Sequence, residues 1–317
     1  MVPLEWEGSS TVVAQRAIDR GESMNEAALD RVVGGADSVL PADRGPVPPL
    51  RHPRAVDPTT AAKNLPRGDV SPLQRSIRHW CGRMIAVTTM KTLFRIEVVG
   101  AERLGKGPAV YCFNHLSWMD PLVLTAVFPK QPRLHFYGPK EPDLRKGGRN
   151  RFMWWFGICV PFSPLKDDLL TSVRWVQAVF DTGGALAISG EGTIHVHEGD
   201  LFPFEEGAAY MALRGGVPLV PVAITGTSWA RFRGRVQVRI GEPIPTGERP
   251  TRQALASYTA RVWHAIRAMV DGDPDLPPPW RPGRWLTDVF NDWGPGGRAA
   301  ATGSHGPDPA DVPIPPI

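Results

Sequence analysis

Cysteine is nearly missing from this chain: three thiols, Cys81, Cys112 and Cys159, stand in 317 residues. They are widely separated and form no Cys-x-x-Cys, which excludes a disulfide frame and a zinc knuckle. Their apolar neighbours mark them as buried thiols of a protein kept in a reducing compartment. Long hydrophobic runs are missing as well. No window approaches the length of uninterrupted apolar sequence that a membrane-spanning helix needs. The N-terminus, with Glu5 and Glu7, does not read as a secretory signal. Charge is only mildly unbalanced, at +4. No recognition-helix, zinc-finger or RNA-binding signature accompanies it, so nucleic acid is not an expected partner. No internal repeat is visible. The expectation is a soluble or surface-bound protein.

Apolar residues make up 42% of the chain, enough for a real core, whereas its 34 prolines and 33 glycines are unevenly spread. Residues 1–65 have little core-forming periodicity and read as a disordered extension, with a short helix at Met24–Val33. Residues 273–317 read as a Pro-rich tail. Within that tail Trp285–Trp293 is a short amphipathic segment able to dock on the body or on a bilayer. Between the tails, strand-like runs occur at Arg95–Val99, Ala109–Phe113, Leu134–Tyr137, Ala185–Ser189, Leu219–Ile224 and Val236–Ile240. Helical stripes fall between them. One runs from Leu170 to Phe180 and stops at Gly183-Gly184, one covers Ala208–Arg214, and one runs from Leu255 to Val270 and ends at Gly272. Strands alternating with helices predict an α/β fold, a sheet covered on both faces.

Ahead of the first strand, Leu73, Ile77, Trp80, Met84, Ile85, Val87, Met90, Leu93 and Phe94 are spaced as a helix with an apolar face. The segment 66–98 carries six Lys/Arg against two acids. Packing on the core and lying in a lipid headgroup region both fit this pattern. Basic residues near an anionic surface contribute about 1 kcal/mol each, which tips the reading toward the membrane.

Asn114-His115-Leu116-Ser117-Trp118-Met119-Asp120-Pro121 follows a buried strand and enters a helix with proline at its start. A histidine and a carboxylate on a loop between rigid elements suit a general base and its orienting partner. Asp before Pro is also a good helix cap. Further on, Gly190-Glu191-Gly192-Thr193 closes a strand, and glycines flanking a carboxylate let backbone approach a ligand closely. His195 and His197 form a His-x-His pair, with Glu198 and Asp200 nearby, but no clear third metal ligand. Trp154-Trp155-Phe156 reads as core or as an interfacial aromatic patch.

In this order the segments resemble the glycerolipid acyltransferase superfamily, in its 1-acylglycerol-3-phosphate acyltransferase branch. Asn114-His115 through Asp120-Pro121 is similar to its first motif. Lys140-Glu141 with Gly157 and Val160-Pro161-Phe162 is a loose version of its second. Glu191-Gly192-Thr193 with Pro203-Phe204 and Gly207-Ala208-Ala209 resembles its third, and Val217–Val222 its fourth. The resemblance implies a mixed sheet of about six to seven strands flanked by helices, preceded by an amphipathic helix, with the acyltransferase domain at 95–272. It implies that His115 removes a proton from an acceptor hydroxyl as it attacks an acyl-CoA or acyl-carrier-protein thioester, with Asp120 holding the imidazole. Asn114, Ser117, Lys140, Gly190, Glu191, Gly192 and Thr193 would bind substrate. No metal or bound cofactor is implied, and the expected partners are the thioester donor, a lysolipid and the cytoplasmic face of a membrane. Two departures stand out: Ile194 occupies the place of an expected phosphate-binding arginine, and Ser163-Pro164 that of another. Both put a phosphate-monoester acceptor in doubt.

Overall fold

The protein is described from a computed structural model, which covers residues 58–66, 70–140, 147–162, 166–291, 293 and 298. The expected helix at 24–33 lies outside the described residues, as do nearly all of the tail beyond 293, Glu141 of the loose second motif, and Ser163-Pro164.

Seven strands form one sheet: β1 (Phe94–Val99), β2 (Val110–Phe113), β3 (Leu134–Lys140), β4 (Cys159–Phe162), β5 (Ala185–Ser189), β6 (Leu219–Thr225) and β7 (Gly234–Ile240). Their order is β1-β7-β6-β2-β5-β3-β4. The short link between β6 and β7 makes that pair antiparallel, and the other neighbours run parallel. The six expected runs are strands, with ends that agree within three residues. The seventh, β4, escapes the pattern because it is short and contains Pro161, which an edge strand tolerates.

Among the described residues the α-helices are α1 (Pro58–Lys63), α2 (Pro72–Leu93), α3 (Asp120–Val127), α4 (Gly147–Phe156), α5 (Lys166–Asp181), α6 (Gly207–Gly215), α7 (Arg252–Val270) and α8 (Arg281–Asn291). Alternation along β2 shows how they are divided. Val110 and Cys112 face a core built with α5, α6 and α7, while Tyr111 and Phe113 face one built with α2, α3 and α4. The sheet is thus covered on both faces, as expected for parallel strands.

Helix α2 starts at Ser71, whose hydroxyl accepts from Gln74 N, with Pro72 in the first turn. It ends at Leu93, and Arg95–Val98 of the basic segment belong to β1, the strand expected there. Its buried residues His79, Gly82, Ala86 and Met90 line one face, spaced at three and four residues. Leu73, Ile77, Trp80, Met84 and Ile85 stay exposed on another. The expected single apolar face is therefore two faces.

Part of the expected disordered N-terminal extension is ordered, and the amphipathic segment of the C-terminal tail docks. Helix α1 buries Ala61, and Leu65 after it joins the core; a segment this short shows too few apolar residues to display a period. The segment at 285–293 forms most of α8, which docks on the body through buried Thr287 and Asn291. No helix among the described residues is long and apolar enough to cross a membrane.

Candidate active site

Strands β6, β2 and β5 lie side by side and parallel, so their C-terminal ends open on one edge of the sheet. Ligand sites of such sheets form there. The loops that leave these three strands bring Thr227, His115 with Asp120, and Glu191 together.

The loop after β2 is pinned at its root by Asn114. Its Nδ2 donates to Ile224 O at 2.9 Å, and its Oδ1 accepts from Ile224 N at 2.7 Å. The side chain imitates a strand neighbour where β2 has ended. Next comes His115, then Asp120 as the first residue of α3. Asp120 is fully buried, and its Oδ2 accepts from His115 Nδ1 at 2.9 Å, from Leu116 N at 2.8 Å and from Ser117 N at 2.9 Å. Its carboxylate turns back to the loop rather than forward to the helix amides, so the cap reading of this residue is corrected. A carboxylate offers only lone pairs, so Nδ1 carries the proton and Nε2 is left as the base. The His115 side chain is 12% exposed. The rings of Phe113 and Trp118 stand edge-on to it, with centroids 5.6 and 6.0 Å away.

The remaining oxygen of Asp120 is also occupied: Thr227 Oγ1 donates to Oδ1 at 2.6 Å. Thr227 sits in the β6–β7 loop, which is held by Glu198. That buried carboxylate accepts from Gly226 N at 2.6 Å and from Ser228 N at 3.1 Å. Burial raises the Glu198 carboxyl above its usual range, the bonds from Ser228 and Gly226 oppose this, and the nearby charge of Asp120 adds to it. Gly226 takes φ +91 with the backbone of Arg235 against it, a position no side chain could share.

Glu191, on the third loop, is likewise turned inward. Its Oε2 accepts from His115 N at 2.7 Å and its Oε1 from Phe202 N at 3.0 Å. His195 Nε2 lies 2.8 Å from Oε1, an ion-pair contact made away from the N–H axis. Burial alone would lower the His195 pKa, but Glu191, helped by Asp200 and Asp120, raises it. The carboxylates around it thus favour the charged form of His195. Its backbone N–H also donates to His115 O at 3.1 Å.

Several expected substrate contacts are therefore structural supports. Asn114 and Ser117 are fully buried and bonded within the protein, because each braces the 114–120 loop from behind. Glu191 braces it from the side. Gly190 allows close packing, since a Cβ there would stand 2.5 Å from the Phe204 ring. Gly192 and Thr193 are exposed on the loop, where ligand could reach them. Lys140 ends β3, and its side chain lies outside the described residues. His195 and His197 do not converge, since His197 Nδ1 pairs with Asp275 Oδ2 at 2.8 Å. Among the described residues no group of three His, Cys, Asp or Glu is placed to hold a metal ion. Thr227 and the loop-holding role of Glu198 were not legible in the sequence. The only hint was a Thr-Gly-Thr-Ser turn leaving the strand next to β2.

The chain is similar in sequence to known acyltransferases. Residues 95–225 match the family model Acyltransferase. Over 180 residues the chain is 29% identical to the 1-acyl-sn-glycerol-3-phosphate acyltransferase of Saccharomyces cerevisiae, covering 53% of this chain and 57% of that one. Over 202 residues it is 24% identical to the enzyme of the same name from Pseudomonas aeruginosa, covering 59% and 74%. The crystal structure of the 1-acyl-sn-glycerophosphate acyltransferase from Thermotoga maritima aligns with TM-score 0.48 and 20% identity, over 62% of this chain and 78% of that one. The likeness to glycerolipid acyltransferases carried by the motifs is borne out by the family model and the curated relatives. The chain spans little more than half the length of the yeast relative.

Proposed function

We propose that this protein transfers a fatty acyl group from an acyl-CoA or acyl-carrier-protein thioester to the hydroxyl of a lysolipid. The observation that carries the proposal is the 2.9 Å bond from His115 Nδ1 to Asp120, which leaves Nε2 free to act as a base. His115 Nε2 takes the hydroxyl proton as the acceptor oxygen attacks the thioester carbonyl. The C–S bond breaks as the ester forms, and the imidazolium returns the proton to the departing thiolate. General-base help of this kind contributes about 10²–10⁴-fold. The chemistry needs no resident metal or cofactor, and the thioester is a co-substrate. The names of the relatives support 1-acylglycerol-3-phosphate or a related lysophospholipid as acceptor, in phospholipid synthesis. Ile194 in place of arginine favours an acceptor without a phosphate monoester. The exposed apolar face of α2 supports peripheral attachment to the cytoplasmic face of a membrane.

The test is acyl-CoA turnover over a panel of lysolipids with and without a phosphate monoester. His115→Ala is expected to remove turnover while circular dichroism stays unchanged. Retained turnover in that variant overturns the base assignment. Lysophosphatidate as by far the best acceptor would reverse the inference from Ile194.

A further inference from the structure

Helix α8 lies beyond the residues that match the acyltransferase family model, yet it reaches back onto the catalytic loop. Its last residue, Asn291, is 5% exposed. Asn291 Oδ1 accepts from Trp118 N at 3.0 Å and from Ser117 Oγ at 3.3 Å, while Nδ2 donates to Thr287 O at 2.9 Å. The Trp118 N–H fixes this orientation, because only an oxygen can accept from it. Ser117 Oγ in turn accepts from Met119 N at 3.2 Å. One amide side chain thus holds the 117–119 turn, directly after the two backbone N–H groups that Asp120 needs.

Three contacts seat the helix. Thr287 Oγ1 accepts from Ala230 N at 2.8 Å, on the same β6–β7 loop that carries Thr227. Gly283 lets the helix approach, since a Cβ there would stand 2.6 Å from Ala230 O. Arg149 Nη1 donates to Phe290 O at 2.6 Å, and its guanidinium lies 4.2 Å from the Trp118 ring centre. Helix α8 therefore ties together the two loops that hold Asp120 from opposite sides.

We propose that Asn291 is a positioning residue for the His115–Asp120 pair, and that α8 belongs to the catalytic apparatus. The proposal rests on the acyl-transfer reading. Asn291 touches no substrate; it acts by keeping the 115–119 turn in the one arrangement in which Asp120 can orient the imidazole.

The full-length protein is compared with Asn291→Leu, Asn291→Asp and Gly283→Ala. Two readouts are used: steady-state kinetics, and the rate at which diethyl pyrocarbonate modifies His115, followed by peptide mass spectrometry. Misplacement of a catalytic group by an ångström lowers turnover about 100-fold, so N291L is expected to lose about 10- to 100-fold in kcat. KM for both substrates should stay within about threefold, because no binding contact is removed. N291D keeps an acceptor oxygen and should be markedly faster than N291L. G283A lifts the helix without touching the catalytic loop and should lower kcat in the same sense. His115 should be modified faster in N291L and G283A. N291L folded and with kcat within about twofold of the parent overturns the proposal, as does an N291D protein no faster than N291L. If N291L does not fold, G283A decides by the same criterion. Absence of turnover in the parent protein would instead sink the acyl-transfer reading, and unchanged His115 modification in the variants would then overturn the positioning role independently.

Discussion

Thr227 Oγ1 donates to Asp120 Oδ1 at 2.6 Å across 107 positions of sequence, so the acid behind His115 has no free oxygen. Four donors converge on it, three from its own loop and one from the loop after the neighbouring strand. Such a carboxylate is fixed in position as well as in charge. Orientation of the imidazole then follows from the order of β6, β2 and β5 in the sheet.

Thr227→Val removes one donor from a buried carboxylate while keeping the shape of the side chain. A hydrogen bond to a charged group contributes about 1.5–3 kcal/mol, so kcat/KM should fall on the order of tenfold or more. Thr227→Ser keeps the hydroxyl and should stay near the parent value. Kinetics of the two variants side by side check this. Equal loss in both would mean that packing of the threonine methyl matters, not its hydrogen bond.

Glu191→Gln replaces one acceptor oxygen by an amide nitrogen. Whichever way the amide turns, its NH₂ faces either His115 N–H or Phe202 N–H, and one of them loses its partner. An unsatisfied buried donor costs about 1–3 kcal/mol, and the urea midpoint should fall accordingly. His195 also loses the carboxylate that raises its pKa, so that pKa should drop, readable from imidazole proton shifts. Unchanged stability would show that the loop rearranges freely around residue 191.

The framework and the pairing of His115 with Asp120 were legible in the sequence because each has a local signal. Strand runs such as Ala185–Ser189 are short, apolar and bounded by glycine, and His115 and Asp120 are five residues apart on one loop. What could not be read was the direction in which side chains turn. Asn114, Ser117 and Glu191 carry groups suited to binding a ligand, yet the fold spends them on backbone amides left unpaired where strands end. Thr227 and Asn291 lie 107 and 174 positions from their partners in the catalytic loop. Nothing local marks them, since their role exists only once the sheet order and the docking of α8 are set.

Two buried histidines make stability depend on pH. Burial holds His135 neutral, with its pKa lowered to about 4, and His79 likewise, lowered to about 3. In the unfolded chain both would titrate near about 6.5. Between pH 6.5 and 4 the unfolded state therefore binds more protons, and stability should fall as pH falls through that window. Each such group contributes a slope of up to about 1.4 kcal/mol per pH unit. His195, whose pKa is raised, works in the opposite sense: its contribution is present at low pH and is lost as pH rises through its folded value. In His135→Gln the pH slope of unfolding free energy should lose about one proton between pH 4 and 6.5. Denaturant titrations at several pH values check this, and an unchanged slope would show that His135 is not the group resisting protonation.

The basic character of α2 is partly consumed inside the protein. Arg83 donates to Thr125 O at 2.6 Å and to Phe128 O at 2.7 Å, capping the end of α3, and Arg75 reaches Ala62 O and Pro66 O. Attraction to anionic lipid from these two is correspondingly reduced. The apolar stripe is what remains. Leu73, Ile77, Trp80 and Met84 recur at intervals of four, three and four residues, 47–71% exposed, opposite the face that packs on the core. Each large side chain of this kind transferred from water contributes about 1.5–3 kcal/mol. Trp80→Ser with Ile85→Ser should therefore lower co-sedimentation with vesicles at least tenfold, with only a weak dependence on their anionic lipid content. Arg83→Gln should instead loosen α3 and lower the thermal midpoint while leaving vesicle binding nearly unchanged. If binding survives the loss of Trp80 and Ile85 but disappears in high salt, charge rather than apolar burial holds the protein to the bilayer, and α2 does not insert.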